Sequence, residues 1–505
     1  MRCFSFYAVF IVALCLNGVG SASEQDIAWQ NTFGGAGDDW AHCVRKTSDG
    51  GFIVAGETHS FGEGGDFYLL KVDSQGDKQW ERNYGGVDRE NAYAVVERAD
   101  GGYIIVGSTR SYGAGSEDIY VVWTDKDGFI EYYQTYGGSG SDVGSGICAT
   151  SDGSYVIVGW THSGSSSDDA YIVQIDGAGT KLWDNRFGGT CWDYGTSVAQ
   201  AGGTLIFVGE TCSLGSGGDV YFVKTDLSGQ KLIEKAIGGV KREIGVYFRL
   251  TSGTQCVIPG WTQSIGAGLW DMYFVKTDLD GNVLREKAFG GPDHDFAWAI
   301  EEAADGGYFI VGYTRSFGAG DYDIYVVRTD QDGEQMWTKT IGSSGAEYAY
   351  STDVTTDGGF VIAGASNSES RGGFDVILVK MGGTTTIQID IDIKPGSYPN
   401  SINLGSHGLV PVGILSSSEF DATTVDPETV ELAGAGVGVR GKSNKYMAHE
   451  EDVNADGLVD LVLQVATENL DPGAFQDGFG VLTGSTYDGQ SIQGVDEVTI
   501  VPSEQ

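Results

Sequence analysis

The chain has 505 residues, with 80 Gly but only 8 Pro, and 30 Lys and Arg against 70 Asp and Glu for a formal net charge of −40. That length holds two or more domains with substantial cores, and an aromatic share of 11% excludes a disordered or collagen-like chain. The acidity repels nucleic acid and anionic lipid, and it suits a soluble extracellular protein in salty water or one that collects divalent cations.

Residues 1–23 read as a secretory signal peptide. Arg2 supplies the charged start, Ala8 to Leu16 an apolar run too short to span a bilayer, and Gly20-Ser21-Ala22-Ser23 the small residues for cleavage. No other apolar stretch is long enough to cross a membrane. Export would leave Cys43, Cys148, Cys191, Cys212 and Cys256, an odd number.

From Phe33-Gly34-Gly35 onward the sequence repeats. Tyr84-Gly85-Gly86, Tyr136-Gly137-Gly138, Phe187-Gly188-Gly189, Ile237-Gly238-Gly239, Phe289-Gly290-Gly291 and the variant Ile341-Gly342-Ser343 follow at steps of 50 to 52 residues. Such a period belongs to repeat architectures. In the unit Asp39 to Gly86, strand-like runs at Trp40 to Thr47, Phe52 to Thr58, Asp66 to Val72 and Lys78 to Tyr84 are separated by turn residues, with no helical periodicity. Four short antiparallel strands per unit, repeated radially, predict an all-β fold: a seven-bladed β-propeller over residues 24–383. The last unit has only three strands, while the entering segment 27–35 matches a fourth strand, Trp29 standing to Phe33 as Trp80 to Tyr84. The N-terminal strand is therefore expected to complete the last blade and close the ring.

Comparison between units separates what the fold demands from what one site would use. Every unit has an acid four residues after the Gly pair: Asp39, Glu90, Asp142, Asp193, Glu243, Asp295 and Glu347. Two residues on comes Ala or Gly, expected because the innermost strands converge on the axis. Each unit also carries a hydroxyl, any residue, then Ser, as in Thr58 and Ser60, followed eight or nine residues later by an Asp such as Asp66. The ring of acids is either a multivalent cation site or a set of separate turn caps. Capping is favoured, because a site used once need not be repeated seven times. The same alignment puts Cys191 and Cys212 on one face of one blade, a plausible disulfide.

Function is expected where units differ. The residues flanking the repeated hydroxyls and the channel entry include Trp40, His59, Arg110, Trp160, His162, Trp192, Trp261 and Arg315. Aromatic rings beside Arg and His on one rim suit a glycan or protein partner. Packing between blades is the competing use of the same rings.

The sixth unit, with Asp305-Gly306-Gly307-Tyr308-Phe309-Ile310-Val311-Gly312 and then Asp323-Ile324-Tyr325-Val326-Val327, resembles the propeller repeat of many secreted bacterial and archaeal surface proteins. The resemblance covers residues 27 to 383 and implies the fold, with little about activity. Asp73-Ser74-Gln75-Gly76 with Trp80 also resembles the blade motif of quinoprotein dehydrogenases. Those enzymes have eight blades and an adjacent Cys pair that this chain lacks, so no quinone is implied.

Near Gly383 the period stops, and short strand-like runs over 384–505 predict a second, smaller β-sandwich-like domain. Ile391-Asp392-Ile393-Lys394-Pro395-Gly396-Ser397 resembles a module at the ends of secreted prokaryotic proteins. Within this domain, Asp452-Val453-Asn454-Ala455-Asp456-Gly457-Leu458-Val459-Asp460 offers side-chain oxygens from Asp452, Asn454, Asp456 and Asp460 and the Leu458 carbonyl at spacings that suit calcium. Leu463 stands where an EF-hand has Glu, and the loop instead resembles those of integrin-type propeller repeats. The whole reads as a secreted or cell-surface, non-enzymatic binding or adhesion protein that presents a propeller rim to a glycan or protein. The alternative is a secreted polysaccharide lyase or hydrolase using His42, His59, His162 or His294 with rim carboxylates.

Overall fold

The computed structural model describes residues 27–501 except 165, 252–253, 304, 356, 369–371, 383–386, 418–419, 442–444, 476–477 and 488–490. Residues 1–23, expected to be a signal peptide, lie outside the described residues. The chain divides into two compact units, one comprising Met1–Val354 and Phe360–Met381, the other Thr355–Gly359 and Gly382–Gln505.

In the first unit, the described residues form seven antiparallel sheets, six of them ordered from first to last strand along the chain. Sheet one is Asp39–Lys46, Phe52–Thr58, Asp66–Val72 and Lys78–Tyr84. Sheet seven takes Glu347–Val354, Phe360–Ser366 and Asp375–Met381 from the end of the repeats and Ile27–Phe33 from the start, with Phe33 opposite Val376. The two middle strands of a sheet are buried almost throughout and read as continuous apolar runs, because both faces meet neighbouring sheets.

Packing joins each sheet to the next. Ile53 and Leu69 of sheet one share a core with Ile105 and Val122 of sheet two, and equivalent clusters link each later pair in turn. A last cluster joins Val54 and Leu70 of sheet one to Val361 and Leu378 of sheet seven. This radial repetition of four-stranded sheets is a β-propeller scaffold. The outer-strand aromatics reach the turn of the following sheet: the Trp29 indole N–H donates to the Ser74 carbonyl at 3.3 Å, and the Tyr84 hydroxyl to the Gly128 carbonyl at 2.6 Å.

The repeated acids account for the repeated glycines. The amide of Gly35 donates to Asp39 at 2.8 Å, that of Gly86 to Glu90 at 2.8 Å, and the amide at the same place in every later unit does likewise, Ser343 to Glu347 included. The unit's hydroxyl, Thr58 or its counterpart, donates to the same carboxylate. These carboxylates are buried, and a buried charge without such donors would be costly. They act as caps within each repeat. The first Gly of the pair lies between two carboxylates of successive sheets: a Cβ on Gly85 would overlap both Asp66 and Glu90, and one on Gly34 both Asp375 and Asp39.

One expectation is corrected. The Ala or Gly two residues after each acid does not owe its size to crowding at the axis. Ala41 and Ala92 are buried in the clusters between sheets, and a Cβ on Gly144 would meet Val106 and Ile119 of the preceding sheet. Sheet-to-sheet packing sets the limit. The following residue is the one left unpaired by a β-bulge, for example His42 between Ala41 and Cys43 and Trp298 between Ala297 and Ala299, and a bulge re-aims its side chain.

In the second unit, Ile387–Ile389, Ser491–Glu497, Phe479–Ser485, Glu431–Leu432 and Ala435–Gly436 form one sheet, and Ile391–Ile393, Leu409–Ile414, Asp460–Ala466 and Ala448–Glu451 another. Ile391, Val412, Leu463, Leu482 and Ile492 from both sheets meet in a single core.

Candidate functional site

The bulge residues of the first strands, His42, Tyr93, Ser145, Thr196, Trp298 and Tyr350, all line one cavity of about 860 Å³. Val246 takes the same place in sheet five, where Pro259 on the neighbouring strand has no amide to donate and the first strand breaks into Glu243–Gly245 and Arg249–Leu250. The bulge position, which the repeat leaves free to vary, thus contributes a ring of side chains to the cavity wall.

That wall is lopsided. From sheet six through sheet seven to sheet two it is aromatic: Trp298 lies 5.1 Å from Tyr350, and His42 5.6 Å from both Tyr350 and Tyr93, while Trp261 of sheet five packs behind the wall, 5.1 Å from Trp298. Trp40 extends the arc, 4.5 Å from Phe374 and 5.8 Å from Tyr348. On the other side stand the small hydroxyl residues Ser145 and Thr196.

Charged groups gather along the same cavity. Arg45 and Arg249 line it with Tyr247, whose hydroxyl is 3.4 Å from Arg45 Nη2. Arg249 Nε is 3.1 Å from Glu301 Oε2, and the Glu301 side chain is only 1% exposed. Neither carboxylate oxygen of Glu301 accepts a hydrogen bond. Burial pushes Glu301 up to about 8 against the opposing charge of Arg249. Burial also pushes the His42 imidazole down to about 4, with the Glu57 charge opposing the shift and that of Arg89 adding to it.

The sequence-predicted rim residues fall into three groups. Trp40 and Trp261 belong to the aromatic arc. Trp160, Trp192 and His162 gather around Tyr194 beside a smaller pocket of about 260 Å³: Trp192 stacks on Tyr194 at 5.5 Å, Trp160 meets it edge-on at 5.8 Å, and His162 contacts Asp168, which accepts from the Tyr194 hydroxyl at 3.0 Å. His59, Arg110 and Arg315 are in ion pairs, with Glu57 at 2.6 Å, Glu117 at 3.7 Å and Asp321 at 3.3 Å, and Arg315 also lies over the ring of Tyr322, which meets Tyr313 and Tyr348. Of the four candidate catalytic histidines, His42 lines the large cavity; His59, His162 and His294 do not. Arg45, Tyr247, Arg249 and Glu301 were missed in the sequence. Aligning the units on their capping acids and reading four and six residues further would have exposed them.

Cys191 and Cys212 form a disulfide with Cα atoms 5.4 Å apart, while Cys43, Cys148 and Cys256 are free thiols. In the loop after Glu451, Asp452 accepts from the amides of Asp456 and Gly457 at 3.2 and 3.0 Å, and Asp456 from Leu458 at 2.8 Å. Gly457 has φ +89°, the sharp turn that this position needs. Asp460 is fully buried and accepts from Ser416 and Val453. Among the described residues no three His, Cys, Asp or Glu side chains converge as a ready-made ligand set. The loop thus has the donor types and the turn for a hard cation, with Asp452 and Asp456 now engaged by loop amides. No helix of the described residues is long and apolar enough to cross a membrane.

No family model matches the sequence, and no curated protein does. Solved structures similar to this chain include the WD40 β-propeller domain of Doa1 (TM-score 0.44, 11% identity, covering 71% of this chain and 96% of that one). The Neurospora crassa Pan2 WD40 domain follows (0.43, 12%, 70% and 90%). A third is the subtype N11 neuraminidase-like protein of A/flat-faced bat/Peru/033/2010 (0.35, 10%, 56% and 84%).

The two shifted groups predict a pH profile. Glu301 rises from an ordinary 4.5 to about 8, so between these values the folded state holds a proton that the unfolded state has lost, and stability falls as pH rises. His42, lowered from 6.5 to about 4, acts in the opposite sense but only below 6.5. Calorimetry should therefore show the melting temperature falling from pH 6.5 to pH 8, with Glu301→Gln flattening the slope. A slope that survives the substitution would rule out this origin.

Proposed function

We propose that this chain is an exported, non-enzymatic binding protein whose seven-bladed propeller, closed by residues 27–35, takes a glycan at the aromatic side of its central channel. The observation that carries this reading is an arc of half-buried rings: Trp298, Tyr313 and Tyr350 line a cavity of about 860 Å³, and Trp40, Trp261 and Tyr348 continue the arc by packing on rings beside it. Small-ligand sites have volumes of this order, and flat amphipathic rings suit the apolar faces of sugars while leaving polar edges for hydroxyls. The disulfide Cys191–Cys212 is in keeping with an oxidising compartment. The C-terminal module, read as a β sandwich over residues 384–505, serves as spacer or attachment, stiffened by calcium in the loop Asp452 to Asp460.

Screening the full-length protein on a glycan array, with product assays on the same panel, tests the binding site. Binding without turnover is expected, and Trp298→Ala should weaken it about tenfold, the loss typical of an anchoring ring. Unsaturated or reducing products would replace the reading with that of a polysaccharide lyase or hydrolase. A Trp298→Ala variant that binds normally would remove the channel from the account.

Calcium titrated into the full-length protein should release or absorb heat with saturation and raise one thermal transition, and Asp456→Ala should abolish both effects. No heat and no thermal shift at millimolar calcium would count against the loop as a metal site.

A further inference from the structure

The aromatic arc does not account for the charged part of the cavity. Six residues after the capping acids the seven units carry, in order, Arg45, Val96, Cys148, Ala199, Arg249, Glu301 and Asp353. The position is uncharged in three consecutive units and charged in the other four, although the scaffold folds with either. Two residues earlier, six units have Cys43, Ala94, Gly146, Ser197, Ala299 and Ser351, and the seventh has Tyr247. Tyr247 sits where Pro259 has interrupted the first strand, and its ring lies 5.6 Å from the Arg45 guanidinium. Departures from the repeat on three sheets thus meet at one place.

Their arrangement shows guanidinium to the cavity. Arg45 and Arg249 are lining residues, whereas Glu301 is buried and is not. Arg45 is held by its donation to the Val44 carbonyl at 2.7 Å and by Tyr247. Arg249 has Glu301 for a partner, but burial disfavours the charge on that carboxylate; Asp353 is the other acid acting on both guanidiniums, and two arginines against it leave positive charge for a further group. In a chain with 70 acidic residues, an anion drawn to the surface is repelled nearly everywhere else.

We propose that this end of the cavity binds the carboxylate of an acidic sugar, a uronic acid residue of a polysaccharide, with Arg45 and Arg249 as counter-ions and the Trp298 and Tyr350 rings against the sugar. The proposal rests on the glycan reading above. Guanidinium forks match the planar carboxylate geometrically. Aromatic rings and the hydroxyls of Ser145 and Thr196 on opposite walls match the two kinds of surface of a pyranose ring.

The test is titration calorimetry on the full-length protein, using uronate oligosaccharides of the gluco, galacto, manno and gulo series beside their carboxyl-reduced forms and sulfated neutral glycans. At least one uronate series should bind about tenfold or more tightly than its reduced form, the size of a charge-assisted contact. Arg45→Gln and Arg249→Gln should each erase that preference and still bind the reduced form. Equal binding of acid and reduced forms, or stronger binding of sulfated glycans, would overturn the carboxylate assignment and leave the glycan site standing. If no glycan of any kind binds, both readings fall. The comparison of acid with reduced sugar needs no variant, so it stands even if a substitution impairs folding.

Discussion

The structure depends on a contact that recurs at six of the seven junctions: a glycine lying between a carboxylate of one sheet and a carboxylate of the next. Gly85 between Asp66 and Glu90, Gly137 between Asp118 and Asp142, and Gly290 between Asp271 and Asp295 leave no room for a Cβ. The following amide and a nearby hydroxyl satisfy the inner carboxylate. Buried carboxylates bonded as the inner ones are fix geometry more than they add stability, and here they fix where one sheet ends and the next begins, while Asp66, Asp219 and Asp271 on the other side each keep Oδ1 without a hydrogen bond. The junction at Gly34 uses Asp375 and Asp39, joining the last repeat to the first through a strand that enters from the other end of the chain.

Because the junctions and the cores between sheets are identical in kind, the scaffold constrains most positions of each first strand. The acid is a cap and the small residue two positions on lies against the neighbouring sheet. The bulge residue and the one three positions beyond it are left to face the channel. Chemistry accumulates at those two positions: rings from His42, Tyr93, Trp298 and Tyr350 at the first, and at the second Arg45 and Arg249, which line the cavity, with Glu301 and Asp353 in the other charged units, outside its lining. The same repetition that supplies stability thereby supplies two variable rings of side chains at one cavity, with aromatic and charged residues gathered toward one side.

Much of the scaffold was legible because its determinants are local. A strand between turn glycines, an acid four residues after a Gly pair and a hydroxyl that caps it lie within one unit, and seven copies let noise cancel. The entering strand was legible because Trp29 and Phe33 repeat the spacing of Trp80 and Tyr84. The cause of the small residues was not, since Ala41 and Gly144 are limited by side chains of a neighbouring sheet that no single unit contains. The charged end of the cavity was missed for a related reason: Arg45 and Tyr247 are 202 positions apart, and only closure of the repeats brings them together. In the second unit, with no repeat to compare, strands such as Phe479–Ser485, rich in Gly and partly exposed, gave no alternation to read. Among the chosen rim residues, those that pack with other rings and those in separate ion pairs share the same sequence context, so composition could not sort them.

The most direct measurement is the thermal stability of Gly85→Ala beside Gly203→Ala. A Cβ at Gly203 meets nothing within 4 Å, whereas at Gly85, whose φ is not positive, it would strike Asp66 and Glu90 together. Sheet junctions built on carboxylate-flanked glycines predict a loss of about 1–3 kcal/mol for Gly85→Ala, the usual cost of overpacking, and little change for Gly203→Ala. Equal and small effects at the two positions would contradict this.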